Sequence, residues 1–97
     1  MANVLVVDDS STMREIVSSY LQQHGFEVTL ATDGRDGLLQ LEADPGIKLV
    51  ISDVNMPNMD GLAMAEKIRT EQGTKQVHII MLTTEDNPAM RARGRAR

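Results

Sequence analysis

The sequence predicts an α/β fold in which a parallel β-sheet carries helices on both of its faces. Three observations lead to this class. Residues 4–7 form an unbroken run of aliphatic side chains, which is typical of a strand covered on both faces. Apolar residues then recur at three- and four-residue steps, as they do on one face of a helix. Short apolar runs and helical patterns alternate along the chain, which indicates right-handed βαβ units.

The first strand, residues 4–7, leads into a helix that ends at Gly25. We expect Ser11 or Thr12 to cap the N-terminus of this helix, because Glu15 stands three residues after Thr12, as in a capping box. One face of the helix is predicted to be buried, and its residues are Met13, Ile16, Val17, Tyr20 and Leu21.

The same patterns continue along the rest of the chain. They predict strands at residues 26–31, 49–52 and 77–82, and helices at residues 34–43 and about 62–70. We expect the last of these helices to bury Ala65 and Ile68. Asn87 followed by Pro88 is typical of the N-cap and first residue of a further helix.

The composition narrows the range of functions. The 97 residues contain no cysteine, so the chain has neither disulfides nor thiolate metal ligands. We expect a cytoplasmic protein without membrane contact, since no signal peptide and no apolar segment of about 20 residues is visible. Aromatic residues make up 2% of the chain, which argues against stacking on nucleic-acid bases. The net charge is −4 although the final "RARGRAR" is basic, so the remaining chain is acidic. An acidic chain suits a cation or a basic partner better than a nucleic acid.

Polar side chains directly follow each of the four predicted strands, with Thr32 after the second. On the other three strands, Asp8 and Asp9 come after the first, Asp53 after the third, and Thr83 with Thr84 after the fourth. Ligands of parallel α/β sheets collect at the carboxyl ends of the strands. If these three strands are neighbours, about 4.8 Å apart, the carboxylates reach one cavity and suit Mg²⁺. Asp53 is central in this row and is the best candidate for a nucleophile that forms an acyl phosphate.

Simpler interpretations of these residues also exist. Asp8 and Asp9 are compatible with a turn or a helix cap. The stretch that begins at Asp53 superficially resembles a calcium-binding loop, but Met64 stands in place of the final glutamate of such a loop. An aspartyl phosphatase requires Asp-x-Asp after its first strand, and Asp8-Asp9-Ser10 does not supply it. The terminal arginines favour a solvated helix end over a nucleic-acid tail.

Three motifs connect the chain to a known family: "VDDSSTMR" at residues 7–14, "SDVNMPNMDG" at residues 52–61 and "IIMLTTE" at residues 79–85. Together they resemble the receiver domain of two-component response regulators, most closely the single-domain chemotaxis type (CheY-like). The resemblance covers essentially the whole chain in order. It implies a flavodoxin-like, CheY-like parallel sheet with strand order 2-1-3-4 and helices on both faces.

The resemblance also implies roles for individual residues. Asp53 resembles the phosphoacceptor, which receives a phosphoryl group from a histidine kinase in a Mg²⁺-dependent reaction. Asp8 and Asp9 resemble the acidic pair that binds Mg²⁺ together with Asp53, and the main-chain carbonyl of Asn55 would complete the protein ligands. Thr83 resembles the switch hydroxyl that binds a phosphoryl oxygen.

Three positions are expected to modulate this chemistry. Asn55 and Glu85 occupy the two variable positions that, in the family, tune the access of water to the acyl phosphate. Thr84 stands where the family mostly has alanine or glycine, so we expect a more crowded site. The resemblance thus implies a signalling switch of the chemotaxis type and not an enzyme.

The family pattern continues beyond the motifs of this chain. Receivers of the family carry a fifth strand with a phosphate-binding lysine and a fifth helix, and we expect both to be missing here. Residues 1–97 are then an incomplete receiver domain that ends in or just after helix four. An alternative hypothesis is a signalling-dead fragment that acts as a self-assembly or scaffold module. In either case the strand at residues 77–82 is expected to pair two copies in a homodimer, through the strand-four and helix-four edge.

Overall fold

A computed structural model describes residues 3–71 and 77–82 of the chain. Strands and helices alternate along these residues, and the predicted strand and helix bounds differ from the observed ones by at most two residues. The helix predicted from Asn87 lies outside the described residues. The elements are β1 (Asn3–Val7), α1 (Ser11–Gln23), β2 (Glu27–Ala31), α2 (Gly34–Ala43), β3 (Ile47–Asp53), α3 (Gly61–Glu71) and β4 (His78–Leu82).

The four strands form one parallel sheet in the order β2-β1-β3-β4. The predicted fold class and strand order are therefore confirmed. β1 lies inside the sheet between two neighbours, and residues 4–7 of this strand are all buried. The unbroken aliphatic run reflects this position, because both faces of β1 are covered by helices.

Among the described residues, the two faces of the sheet carry clusters of buried side chains of different size. Helices α2 and α3 cover one face, where alternate residues of β1 meet a large cluster of buried side chains. Helix α1 covers the other face, where Val4, Val6 and Leu21 form a smaller cluster. The carboxyl ends of the strands lie at one edge of this layered structure, so the cores fix the positions of the residues that follow each strand.

Ser10 caps helix α1, and the expected caps Ser11 and Thr12 do not. Ser10 has an extended backbone, with φ of −88° and ψ of 117°, and its side-chain oxygen accepts a hydrogen bond from the backbone N–H of Met13 at 3.2 Å. The backbone N–H of Ser10 in turn donates to the Asp8 carboxylate at 2.9 Å. The helix begins earlier than the capping-box pattern indicates because this turn already orients Ser10 as a cap.

The predicted buried face of α1 is only partly correct. Leu21 is buried and Val17 packs against the same cluster, but Ile16 and Tyr20 are 56% and 62% exposed. Residues 16 and 20 lie about 100° around the helix axis from residues 17 and 21. A single helix on a sheet buries a narrow stripe of side chains, so the neighbouring apolar positions of α1 point away from the sheet.

Helix α3 buries Met64 and Ile68 completely, whereas Ala65, which was expected to face inward, is half-buried. Met64 approaches α2 closely, since a Cβ on Gly37 would lie 2.8 Å from the Met64 sulfur and 3.2 Å from a Val7 methyl carbon. The missing side chain at Gly37 therefore makes room for Met64 in the larger core. None of the helices in the described part of the chain is long and apolar enough to cross a membrane.

The Ser10 cap predicts a measurable loss of stability. We expect Ser10→Ala to lower the free energy of unfolding by about 1 kcal/mol, because the N–H of Met13 loses its acceptor. Ser11→Ala is the matched control, since Ser11 is exposed and such changes stay within about 0.5 kcal/mol. Urea unfolding followed by circular dichroism measures both values. A larger loss for Ser11→Ala than for Ser10→Ala would contradict the assigned cap.

Candidate phosphorylation and metal site

The acidic residues predicted to form a site meet at the carboxyl ends of β1 and β3. In the register of these neighbouring strands Val7 lies opposite Ser52, so Asp8 and Asp53 follow at the same edge of the sheet. Asp8, Asp9 and Asp53 each place one carboxylate oxygen within 4.8 Å of the other two. The structure thus brings together the three carboxylates that the sequence predicts as one site.

Asp8 is the most buried member of this cluster. Burial raises the pKa of its carboxyl group above the ordinary value; the hydrogen bond from the backbone N–H of Ser10 lowers the pKa, and the negative charges of Asp53 and Asp9 raise it further. The Arg14 guanidinium donates to the Asp8 main-chain carbonyl at 2.6 Å and lowers the same pKa slightly. Asp8 is therefore a carboxylate whose charge the metal-free protein stabilises poorly.

Asp53 is half-buried at the end of β3, and its neighbours fix its backbone. The Ser52 hydroxyl donates to the Asp53 carbonyl oxygen at 2.8 Å. Gly61 packs so tightly against this carbonyl that any side chain at position 61 would collide with it. The Gly61 N–H also donates to the Val54 carbonyl at 2.9 Å, which closes the base of the loop formed by residues 54–60.

The 54–60 loop is fastened to the N-terminus of α2 through its middle. The Asn58 side-chain amide donates to the Asp33 carboxylate at 2.7 Å, and the Gly34 N–H donates to the Met59 carbonyl at 3.0 Å. Asn58 has a φ of 67°, in the left-handed region that asparagine tolerates better than most residues. The loop that follows Asp53 is therefore held at its base and at its middle.

The structure does not test the roles predicted for the other four site residues. Asn55 lies in the 54–60 loop, two residues after Asp53, and is exposed. Its role as a main-chain metal ligand stays a prediction. Thr83, Thr84 and Glu85 lie outside the described residues, so their predicted roles also stay predictions.

Several contacts of the site escaped the sequence-based reasoning. Arg14 belongs to the first motif but was given no role, although one helical turn after the cap is enough to return its side chain to the end of β1. A basic residue in the first turn after an acidic pair was the available signal. The contact between Asp33 and Asn58 joins residues 25 positions apart, and only the tolerance of asparagine for left-handed backbone pointed to position 58.

The donor chemistry of the cluster fits Mg²⁺. Carboxylate oxygens are hard ligands, and Mg²⁺ usually combines one or two of them with water and phosphate oxygens. Asp9 is exposed and Asp53 half-buried, so water and a phosphoryl group can reach the cluster from solvent. The raised pKa of Asp8 also fits a cation site, because a bound divalent cation would offset the mutual repulsion of the three carboxylates.

A 2-1-3-4 parallel sheet with an acidic cluster at its carboxyl edge places the protein in the class of flavodoxin-like α/β domains with a candidate cation site. Comparisons with known proteins make the family specific. The family model of the response regulator receiver domain matches residues 4–96, and the chain belongs to this family. The chain is 44% identical over 87 residues to chemotaxis protein CheY1 of Helicobacter pylori. This match covers 89% of this chain and 70% of that protein.

Solved structures agree with this assignment. The chain is similar to chemotaxis protein CheY4 of Vibrio cholerae, with a TM-score of 0.81 and 43% identity over 99% of this chain and 79% of that chain. It is also similar to the response regulator TrrA of Thermotoga maritima, solved in complex with Mg²⁺ and BeF, with a TM-score of 0.80 and 36% identity. That match covers 89% of this chain and 72% of TrrA.

The environment of Asp8 predicts how stability changes with pH. Because its pKa is raised in the native state, native protein binds more protons than unfolded chain between the ordinary value of 3.8 and the raised value. The contribution of Asp8 to the stability of the metal-free protein must therefore fall as pH rises through this window. We expect Asp8→Asn to remove that loss, so that the variant is more stable than the parent above the window and equal to it below.

Urea unfolding in a chelator at a series of pH values tests this expectation. Glu42→Gln is the control, because it removes a charge from an exposed position on α2, outside the acidic cluster. Titrating groups outside the acidic cluster cancel when each variant is compared with the parent at the same pH, whereas Asp9 and Asp53 respond together with Asp8 because the three charges interact. Parallel stability profiles for Asp8→Asn and the parent would contradict the assigned effect of burial and repulsion on Asp8.

Proposed function

We propose that this protein, with residues 1–97 taken as one receiver domain, is a phosphoacceptor switch of a two-component system of the chemotaxis type. A histidine kinase donates the phosphoryl group to Asp53 in a Mg²⁺-dependent reaction. The single observation that carries this proposal is the convergence of Asp8, Asp9 and Asp53 at one edge of the sheet. Family membership supports the proposal, because the carboxylates lie at the ends of β1 and β3, where two of the three family motifs begin.

The proposed transfer is a nucleophilic displacement at phosphorus. A carboxylate oxygen of Asp53 forms a bond to the phosphorus while the phosphorus–nitrogen bond of the donor histidine breaks and its electron pair leaves on the imidazole. Asp8 and Asp9 hold the cation, which offsets the negative charge that gathers on the phosphoryl oxygens. The tight packing of Gly61 and Ser52 against the Asp53 backbone keeps the nucleophile in a fixed position.

The other predicted residues complete the proposal. The main-chain carbonyl of Asn55 serves as a further metal ligand, and the hydroxyl of Thr83 binds a phosphoryl oxygen once the acyl phosphate has formed. Thr84, Glu85 and the side chain of Asn55 modulate how water reaches the acyl phosphate. These assignments rest on the resemblance to the family. In this proposal the protein works in the cytoplasm as a signalling component, and its phosphorylation state is the signal.

Phosphorylation of Asp53 is directly measurable. The protein is incubated with a small-molecule phosphodonor and Mg²⁺, and its intact mass is then determined. We expect a mass increase of one phosphoryl group, which chelation of Mg²⁺ and the variant Asp53→Asn each abolish. Circular dichroism of Asp53→Asn checks that its fold is intact. A folded parent protein that gains no mass would overturn the proposal and favour the alternative of a signalling-dead scaffold module.

We also propose that two copies associate through the strand-four edge of the sheet. β4 forms one edge of the described sheet, and Ile80 and Leu82 on this strand are 47% and 42% exposed. Both share a face with Ile51, since Ile80 pairs with Ile51 in the register. An edge strand with exposed apolar side chains favours association with a second copy. The part of this proposal that concerns helix four lies outside the described residues.

Size-exclusion chromatography with light scattering tests the proposed homodimer. We expect the parent protein to show twice the mass of one 10.7 kDa chain at micromolar concentration. Ile80→Lys should shift it to the monomer, because the charge is placed in the apolar contact. Leu39→Lys is the matched control, since Leu39 is 60% exposed on α2, on the opposite face of the sheet. A monomeric parent, or equal effects of both variants, would refute this interface.

A further inference from the structure

We propose that Asp33 and Asn58 form a latch that positions the 54–60 loop for metal binding, so that residues outside the acidic cluster set its affinity for Mg²⁺. The inference rests on the proposed function, because it assigns a role to the loop that carries Asn55. Both residues act through this loop and are positioning residues. Neither lies in the acidic cluster itself.

The latch consists of two hydrogen bonds that join the middle of the loop to the start of α2. The Asn58 amide donates to Oδ2 of Asp33 at 2.7 Å, and the Gly34 N–H donates to the Met59 carbonyl at 3.0 Å. A Cβ on Gly34 would lie 2.6 Å from that carbonyl oxygen. The loop and the helix therefore lie so close together that a side chain at position 34 would collide with the Met59 carbonyl.

Asp33 is suited to act as the fixed half of the latch. Its Oδ1 accepts the N–H of Asp36 at 2.8 Å and so caps α2, while Oδ2 faces Asn58. The hydrogen bond from the Asp36 backbone, followed by that from the Asn58 side chain, holds the pKa of Asp33 below its ordinary value. The carboxylate consequently stays charged at neutral pH and accepts both hydrogen bonds at once.

Asn58 is the half of the latch that belongs to the loop. Its φ of 67° is unusual for a residue other than glycine, and its side chain is exposed. An exposed hydrogen bond contributes little to global stability, so stability alone gives a weak reason for this geometry. The effect of this hydrogen bond is local. It fixes the loop backbone at Asn58, which lies three residues after Asn55 and five residues after Asp53.

Metal affinity is sensitive to such placement. Mg²⁺ demands nearly ideal octahedral geometry with short bonds of about 2.0–2.1 Å, so a displaced carbonyl ligand is lost rather than stretched. Residues that orient metal ligands without touching the metal typically change affinity by about 10- to 100-fold. Because the latch acts through the backbone of one loop, we expect an effect near the lower end of this range.

The test compares Mg²⁺ affinities by titration of the backbone amide NMR spectrum, with the metal-free thermal midpoint measured in parallel. Asn58→Gly keeps the left-handed backbone but removes the amide, and should weaken Mg²⁺ binding about tenfold with little change in the thermal midpoint. Asn58→Asp faces Asp33 with a second carboxylate and should also weaken binding. The added negative charge would by itself strengthen binding of a cation, so a loss must come from the broken latch.

The exchanged pair Asp33→Asn with Asn58→Asp provides the rescue. Oδ1 of the new asparagine still caps α2, its amide nitrogen takes the place of Oδ2, and it donates to the new carboxylate at position 58. This variant has the net charge of the parent and should recover most of the parent affinity. If the two positions acted independently of each other, the exchanged pair would combine the effects of its two changes and would not recover. Recovery of the Mg²⁺ affinity at an unchanged thermal midpoint separates positioning of the loop from a merely structural role.

The outcomes separate this inference from the proposed function. If the parent protein binds Mg²⁺ and all variants bind it equally well, the latch is refuted while the metal site stands. Weakening in the single variants without recovery in the exchanged pair also refutes the latch. If the parent protein itself binds no Mg²⁺, the proposed function fails, and the latch falls with it.

Discussion

The pairing of β1 with β3 is the constraint on which the rest of the structure depends. These strands are not consecutive in the sequence, and their register sets Val7 opposite Ser52. One residue further along each strand, Asp8 and Asp53 reach the same edge of the sheet. A slip of one position would turn the apolar residues of β1 toward the wrong core and would separate the two carboxylates at the same time. Folding and site assembly thus depend on one register.

This register explains how a pair of repelling aspartates can persist at the end of a buried strand. Asp8 loses solvation through burial and faces the charges of Asp9 and Asp53, so the metal-free protein holds it at a cost. The cost is limited by the Ser10 N–H, which donates to the Asp8 carboxylate. The stability of the surrounding core offsets the rest of this electrostatic cost, because residues 4–7 are completely or almost completely buried. A site that binds a cation needs negative charge that the protein leaves uncompensated. Carboxylates fully satisfied by protein donors would gain less free energy from binding a metal.

Much of the fold follows from the sequence because its signals are local and repeated. The apolar run of β1, the helical spacings and the residues that follow the strands predict the alternation of elements and the acidic cluster without any distant contact. The strand order could not be predicted from such local signals, because the hydrophobic pattern alone does not decide which strands are neighbours. The prediction of the strand order came from the family resemblance. The three motifs therefore contributed the 2-1-3-4 order, and the register of β1 with β3 then placed Asp8 and Asp53 together.

The failures of sequence-based reasoning are also physical in origin. Periodicity identified five apolar positions on α1, but it does not state how wide a stripe the sheet can cover, and Ile16 and Tyr20 remained outside it. The cap moved to Ser10 because the Asp8 carboxylate accepts the N–H of Ser10, a local contact over two residues that the capping-box pattern does not include. The contact between Asp33 and Asn58 had almost no local signal, since it joins the start of one helix to a loop that precedes another. This second contact depends on where the chain returns in space.

The asymmetry of the two sheet faces connects these observations. On the face with α2 and α3, Gly37 admits Met64 and Gly34 admits the Met59 carbonyl, so both close approaches occur on α2. That helix therefore supports the larger core through one glycine and the loop after Asp53 through another. On the opposite face α1 is the helix that covers the sheet in the described part of the chain, and it returns Arg14 to the carbonyl of Asp8. Each face thus contributes one helix N-terminus to the site edge: the start of α1 restrains the Asp8 side, and the start of α2 restrains the loop beyond Asp53. The site is therefore held between two helix starts, and the cores beneath these two helices set where the helix starts lie.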